Sequence, residues 1–183
     1  MGKASLLILL LCLNATAQVF HLQPGDSIHH VRRPFAAGDV NNDKVADTAI
    51  AIFDQVITAD SITEYNCGQG VCNLKLEFKS PIKPLVFEAM NVYLHPVMDV
   101  NGDGANEIAV YQWWYQYCWV TLNIYSYKGN EWNILATSKA FISWDDNDFI
   151  NRIVKQKGSY YLMGDKWNKD SSEIIPDKVL IKP

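Results

Sequence analysis

A period of two runs through most of the chain. It is clearest at 74–78 (Leu-Lys-Leu-Glu-Phe) and 122–127 (Leu-Asn-Ile-Tyr-Ser-Tyr), and β-type apolar runs stand at 49–53 and 178–181. Successive side chains of a strand point to opposite faces, so this period predicts strands. Turn signals separate the runs: Lys-Gly-Asn at 128–130, Lys-Gly-Ser at 157–159 and Gly164-Asp165. Together they predict an all-β domain. The best helical candidate is short, at 148–154.

Superimposed on the strands is an internal repeat. Gly38-Asp39-Val40-Asn41-Asn42-Asp43-Lys44-Val45-Ala46-Asp47 precedes one apolar strand, and Met98-Asp99-Val100-Asn101-Gly102-Asp103-Gly104-Ala105-Asn106-Glu107 precedes another. Their first aspartates lie 60 positions apart, a spacing typical of β-repeats. The acidic stretch at 144–148, with Asp145, Asp146 and Asp148, has a different spacing and is not a third copy.

In both segments oxygen-bearing side chains fall at relative positions 1, 3, 5 and 9, with a backbone carbonyl at position 7. A hard cation such as calcium takes about six to eight oxygens at about 2.4 Å, and a tight loop with alternate inward residues supplies them. The predicted ligands are Asp99, Asn101, Asp103, the Ala105 carbonyl and Glu107 in the second loop. In the first they are Asp39, Asn41, Asp43, the Val45 carbonyl and Asp47. Gly104 permits the sharp turn, whereas Lys44 takes its place in the first loop and predicts the poorer site. Magnesium fits less well because it demands near-octahedral geometry and keeps its waters. The helix-loop-helix calcium motif is excluded, since its position 12 needs a glutamate and these loops place Ile50 and Val110 there.

The pattern Asp39, Asn41, Asp43, Asp47 and its copy Asp99, Asn101, Asp103, Glu107 resembles the FG-GAP and VCBS repeats, whose Asp-rich loop precedes a strand. The resemblance covers the two loops and their following strands. It implies calcium held at propeller blades in a secreted or cell-surface recognition protein. A closed ring of four blades at about 60 residues each exceeds this chain. The expected architecture is therefore a compact β domain, either a partial propeller of two or three sheets or a sandwich, with two calcium loops.

The N-terminal residues change the setting. Lys3, the apolar run at 6–13 and Ala15-Thr16-Ala17 predict a signal peptide over 1–17, with one domain over 18–183 in a secreted or periplasmic location. A lipid anchor at Cys12 is the competing reading, opposed by bulky Leu9-Leu10-Leu11. No stretch approaches the roughly 20 apolar residues of a membrane span. The formal charge of −4, which becomes −5 once Lys3 is removed, argues against nucleic acid as a partner.

In an oxidising compartment Cys67 and Cys72, around Gly68 and Gly70, predict a local disulfide, leaving Cys118 as a buried free thiol. An unbroken strand over 111–119 would send Tyr111, Trp113, Tyr115, Tyr117 and Trp119 to one face; buried packing is the favoured reading of this row and a break at a hairpin near Tyr115 or Gln116 is open to it, while the row is also the candidate partner-binding surface. No nucleophile with an organised base is found. His29 and His30 are an incomplete metal shell, and adjacent acids at 145–148 lack the separation of a glycosidase pair. The expected function is a non-enzymatic, calcium-stabilised β domain that binds a protein or glycan partner. A periplasmic inhibitor of a lysozyme-type enzyme is the alternative, and a glycan hydrolase the weaker third.

Overall fold

The computed structural model describes residues 24–58, 64–65, 73–79, 81–113, 118–141 and 150–183. The signal segment, Cys12, the Cys67 and Cys72 pair, Tyr115, Tyr117 and the acids at 145–148 lie outside the described residues.

Three open antiparallel sheets make up the described chain. The first contains β1 (Ser27–Gly38), β2 (Asp47–Ile57), the two-residue β3 (Glu64–Tyr65), β4 (Asn73–Phe78) and β5 (Leu85–Glu88), in the order β1-β2-β4-β5 with β3 beside β2. The second contains β6 (Asn91–Val97), β7 (Glu107–Trp113), β8 (Trp119–Lys128) and β9 (Glu131–Phe141), in sequential order. The third contains β10 (Ile153–Gln156), β11 (Ser159–Asn168) and β12 (Glu173–Leu180). In each of the first two sheets the acidic loop joins the first strand to the second, so the sequence repeat is also a repeat of position in the fold.

The second sheet is the middle layer. Along β7, Ile108 and Val110 join one core with Ala49, Leu74, Leu76 and Phe87 of the first sheet. Ala109 and Tyr111 join another with Leu122, Ile124, Leu162 and Ile181, the last two reaching in from the third sheet and the residue that follows it. Burial on both faces explains why residues 107–111 form an uninterrupted buried run, where a one-sided strand would alternate. Each fully buried Leu, Ile or Val contributes about 1.5–3 kcal/mol. A bulge helps β9 serve both cores. Tyr125 pairs with Ile134 and Ile124 with Ala136, so Leu135 is an extra residue. The extra residue reverses the face of β9, sending Trp132 toward the first core and Ala136 and Ala140 into the second.

Two readings of the sequence are corrected here. Gly164 is not a turn residue but lies within β11. A Cβ at this position would stand 2.0 Å from Ser138 Oγ and 2.4 Å from the Lys139 carbonyl oxygen, so β11 crosses β9 at a point where only glycine fits. The helical segment at 148–154 reduces, among the described residues, to a 3-10 turn at Ile150–Arg152 followed by β10. Beside that turn, the Arg152 guanidinium pairs with Asp165 at 3.4 Å, and Asp165 accepts the Phe141 N–H at 2.9 Å. The third sheet is thereby fastened to the end of β9.

Cys118 is also corrected, because it is disulfide-bonded and not a free thiol. Its partner lies outside the described residues. No helix among the described residues is long and apolar enough to cross a membrane.

The crossing at Gly164 yields a clear expectation. Gly164→Ala must displace the backbone of β9, so it should destabilise the protein by about 3 kcal/mol or more in urea unfolding. Gly158→Ala, with open space around its Cβ and a φ of +86°, should cost only the strain of its turn, on the order of 1 kcal/mol. Equal costs at the two positions would contradict the close crossing.

Candidate metal centre

Each acidic loop is wound around its own carboxylates. The Asp39 carboxylate accepts the N–H groups of Asp43 and Lys44 at 3.0 and 2.9 Å, and Asp99 accepts those of Gly102 and Gly104 at 2.6 and 2.9 Å. Asn41 Oδ1 and Asn101 Oδ1 accept the N–H groups of Asp43 and Asp103 at 3.1 and 2.9 Å. Asp43 and Asp103 in turn accept the N–H groups of Val45 and Ala105 at 2.8 and 3.0 Å. At position 9, Asp47 accepts the Val40 N–H at 3.0 Å and Glu107 the Val100 N–H at 2.9 Å. The two loops therefore share one hydrogen-bond plan, set by the recurring Asx residues.

They also share one backbone path. Gly102 and Gly104 have φ of 85° and 88°, and at the equivalent places Asn42 and Lys44 have φ of 62° and 70°. Asn tolerates this left-handed region, but for Lys it costs on the order of 1 kcal/mol. Lys44 thus carries the strain that glycine avoids in the second loop.

The loops differ most at position 9. Glu107 is fully buried, and its Oε1 has no hydrogen-bond partner. Burial pushes its pKa from 4.5 up to about 7; the Val100 N–H bonded to it pulls the other way, the nearby Asp103 and Asp99 carboxylates add to the rise, and the neighbouring Ser126 hydroxyl opposes it. Asp47, only partly buried, is raised for the same first reason, burial, with Asp43 and Asp39 adding to it. A buried carboxylate oxygen without a donor is costly unless a proton or cation meets it. Among the described residues no three His, Cys, Asp or Glu side chains form a ready-made metal-holding group. The donor set in each loop is instead mixed: carboxylates, an asparagine amide oxygen and the Val45 or Ala105 carbonyl. Oxygen donors alone are the chemistry of a hard cation, and the orphaned Glu107 Oε1 fits one.

The two loops lie side by side. The Asn106 N–H donates to the Asp39 carbonyl at 2.7 Å, and Asn42 Nδ2 donates to the Asp103 carbonyl at 3.0 Å. An open cleft of about 300 Å³ between them and the β8–β9 turn is lined by Asn41, Asn42, Asp103, Lys128 and Asn130 among others. Asn42 and Asn106 were not singled out in the sequence. Their only signal there is an asparagine at a position where the other loop has glycine or alanine.

The aromatic row does not form as one strand. β7 ends at Trp113 and β8 begins at Trp119, and the two run antiparallel. Tyr111 is only 1 % exposed, packed in the second core with its hydroxyl pKa pushed up to about 12 by burial, so it is not a surface residue. Trp113 is 42 % exposed, and Trp119 packs edge-on against Phe141 with ring centroids 5.3 Å apart. His30 contacts Asp54 at 2.6 Å on an exposed strand face, away from the acidic loops.

The position of Glu107 predicts an unusual pH dependence in metal-free protein. Its native pKa lies above its unfolded value, so the native state keeps a proton that the unfolded chain releases. The associated stability is complete below about pH 4.5 and is lost as pH rises to about 7, amounting to about 3 kcal/mol. In chelator, the melting temperature of the wild type should fall from pH 5 to 7.5 more steeply than that of Glu107→Gln. Parallel profiles would mean that Glu107 carries no such burden.

Compared with known proteins, the chain matches no family model, no curated protein and no solved structure.

Proposed function

We propose that this chain is a calcium-stabilised, non-catalytic β domain that acts outside the cytoplasm as a binding module for a protein or glycan. The observation that carries the reading is the buried Glu107 carboxylate, with an unpartnered oxygen at the base of a loop of hard oxygen donors. Bound calcium would supply the positive charge that offsets the mutual repulsion of Asp99, Asp103 and Glu107. Asn101 and the Ala105 carbonyl complete the second loop's donors. In the first loop Asp39, Asn41, Asp43, the Val45 carbonyl and Asp47 form the weaker counterpart, strained at Lys44.

In this reading the first two sheets are blades of the FG-GAP or VCBS kind, each with its acidic loop between first and second strands. The third sheet is a shorter blade, and the whole a partial propeller. The disulfide at Cys118 supports an oxidising compartment and hence export. Of the aromatic row, Trp113 is the residue best placed to meet a partner, being about half exposed at the end of β7.

Calcium should stabilise the fold. With about 1 mM free ion and a dissociation constant near 10 µM, linkage gives roughly 2.7 kcal/mol and a rise in melting temperature on the order of 5 °C. Asp99→Ala or Asp103→Ala should abolish most of the rise, and Asp43→Ala less. A melting temperature indifferent to calcium and chelator would sink the proposal.

A further inference from the structure

We infer that the two acidic loops bind cations cooperatively, through a strap of backbone and amide hydrogen bonds that makes them one unit. The inference rests on the proposed calcium reading and adds to it a coupling that two isolated loops would lack. Asp39, the first ligand position of the first loop, gives its carbonyl to the Asn106 N–H at 2.7 Å. Asn42, in the middle of the first loop, gives an amide proton to the Asp103 carbonyl at 3.0 Å. Asn106 sits between the Ala105 carbonyl and Glu107, and Asp103 is itself a predicted ligand. The second loop's ligands thus bracket both points of attachment.

The fit at these points is tight as well as polar. A Cβ on Gly38 would lie 2.9 Å from Asn106 Cγ, and one on Gly104 would lie 2.9 Å from Asn42 Nδ2. The Asn106 and Asn42 side chains thus lie directly against the backbone of the opposite loop. Asn41 of the first loop and Asp103 of the second also line the same open cleft, which gives solvent one entrance to the seam.

The buried, unpartnered Glu107 Oε1 marks the second loop as the one that gains most from a cation. Ordering that loop fixes Asp103 and Asn106, and so holds Asp39 and Asn42 in place before the first loop fills. The entropy of ordering the first loop is then partly met in advance, which is positive cooperativity, and reciprocity requires the first ion to strengthen the second equally. Repulsion between the ions opposes this only weakly, since each loop brings three carboxylates to one divalent charge.

Asn42→Gly cuts the side-chain half of the strap and leaves the Asn106 N–H bond to the Asp39 carbonyl in place. Glycine accepts the φ of 62° and is what the second loop carries at the equivalent position, so the variant removes the amide without straining the turn. The measurement is calorimetric titration of metal-free full-length protein with calcium chloride. The wild type should take up two ions with a Hill coefficient above 1. Asn42→Gly should still take up two, in separate steps with the weaker site loosened about fivefold or more. Two independent ions in the wild type, with the same isotherm in Asn42→Gly, would overturn the coupling while leaving calcium binding intact. Uptake of a single ion would overturn it too, and no uptake at all would remove the calcium reading on which it stands.

Discussion

Glu107 opens β7, the strand that both hydrophobic cores share, and it brings a carboxylate to a fully buried position. Everything around it is arranged by that constraint. One oxygen is met by the Val100 N–H, which fixes the start of the acidic loop to its end. The other accepts no hydrogen bond. A buried anion of this kind is destabilising alone and stabilising once compensated. The buried position therefore favours the protonated over the ionised carboxyl, and the central strand is the more secure for it.

The first loop shows the same plan under lighter load. Asp47 opens β2, the equivalent strand of an outer sheet, and is only partly buried. With less desolvation, less depends on a compensating charge, and the strained Lys44 is tolerated there. The contacts of Asn42 and Asn106 then join a demanding loop to a permissive one across the boundary between the first two sheets. The seam so formed belongs to the packing of the fold as much as to either loop.

Local chemistry made much of this legible in the sequence. The alternation at 74–78 and 122–127 lies within β4 and β8, and the Asx residues at positions 1, 3 and 5, with Asp47 or Glu107 at position 9, fold into loops of matching hydrogen-bond plan. Long-range contacts were not legible. Gly164 beside Asp165 has the composition of a turn, and only the crossing of β9 by β11 makes glycine necessary inside a strand. Core packing somewhere in the aromatic row is the reading the sequence favours, but which ring it takes depends on the second core, which buries Tyr111 and leaves Trp113 partly exposed. Cys118 looked like a small hydrophobe because pairing across the chain leaves no local trace. The apolar stretch 108–111 carried a readable signal of two-sided burial, but a period-two reading cannot say which sheets will cover it.

The central claim is that a cation completes the second loop at the Glu107 carboxylate. The most direct measurement is long-wavelength anomalous diffraction from crystals grown with calcium. The account predicts an anomalous peak within the loop at 99–107, with oxygens of Asp99, Asp103 and Glu107 about 2.3–2.6 Å from it. A map without a peak there, in which Glu107 Oε1 is hydrogen-bonded to water or to another protein group, would contradict it.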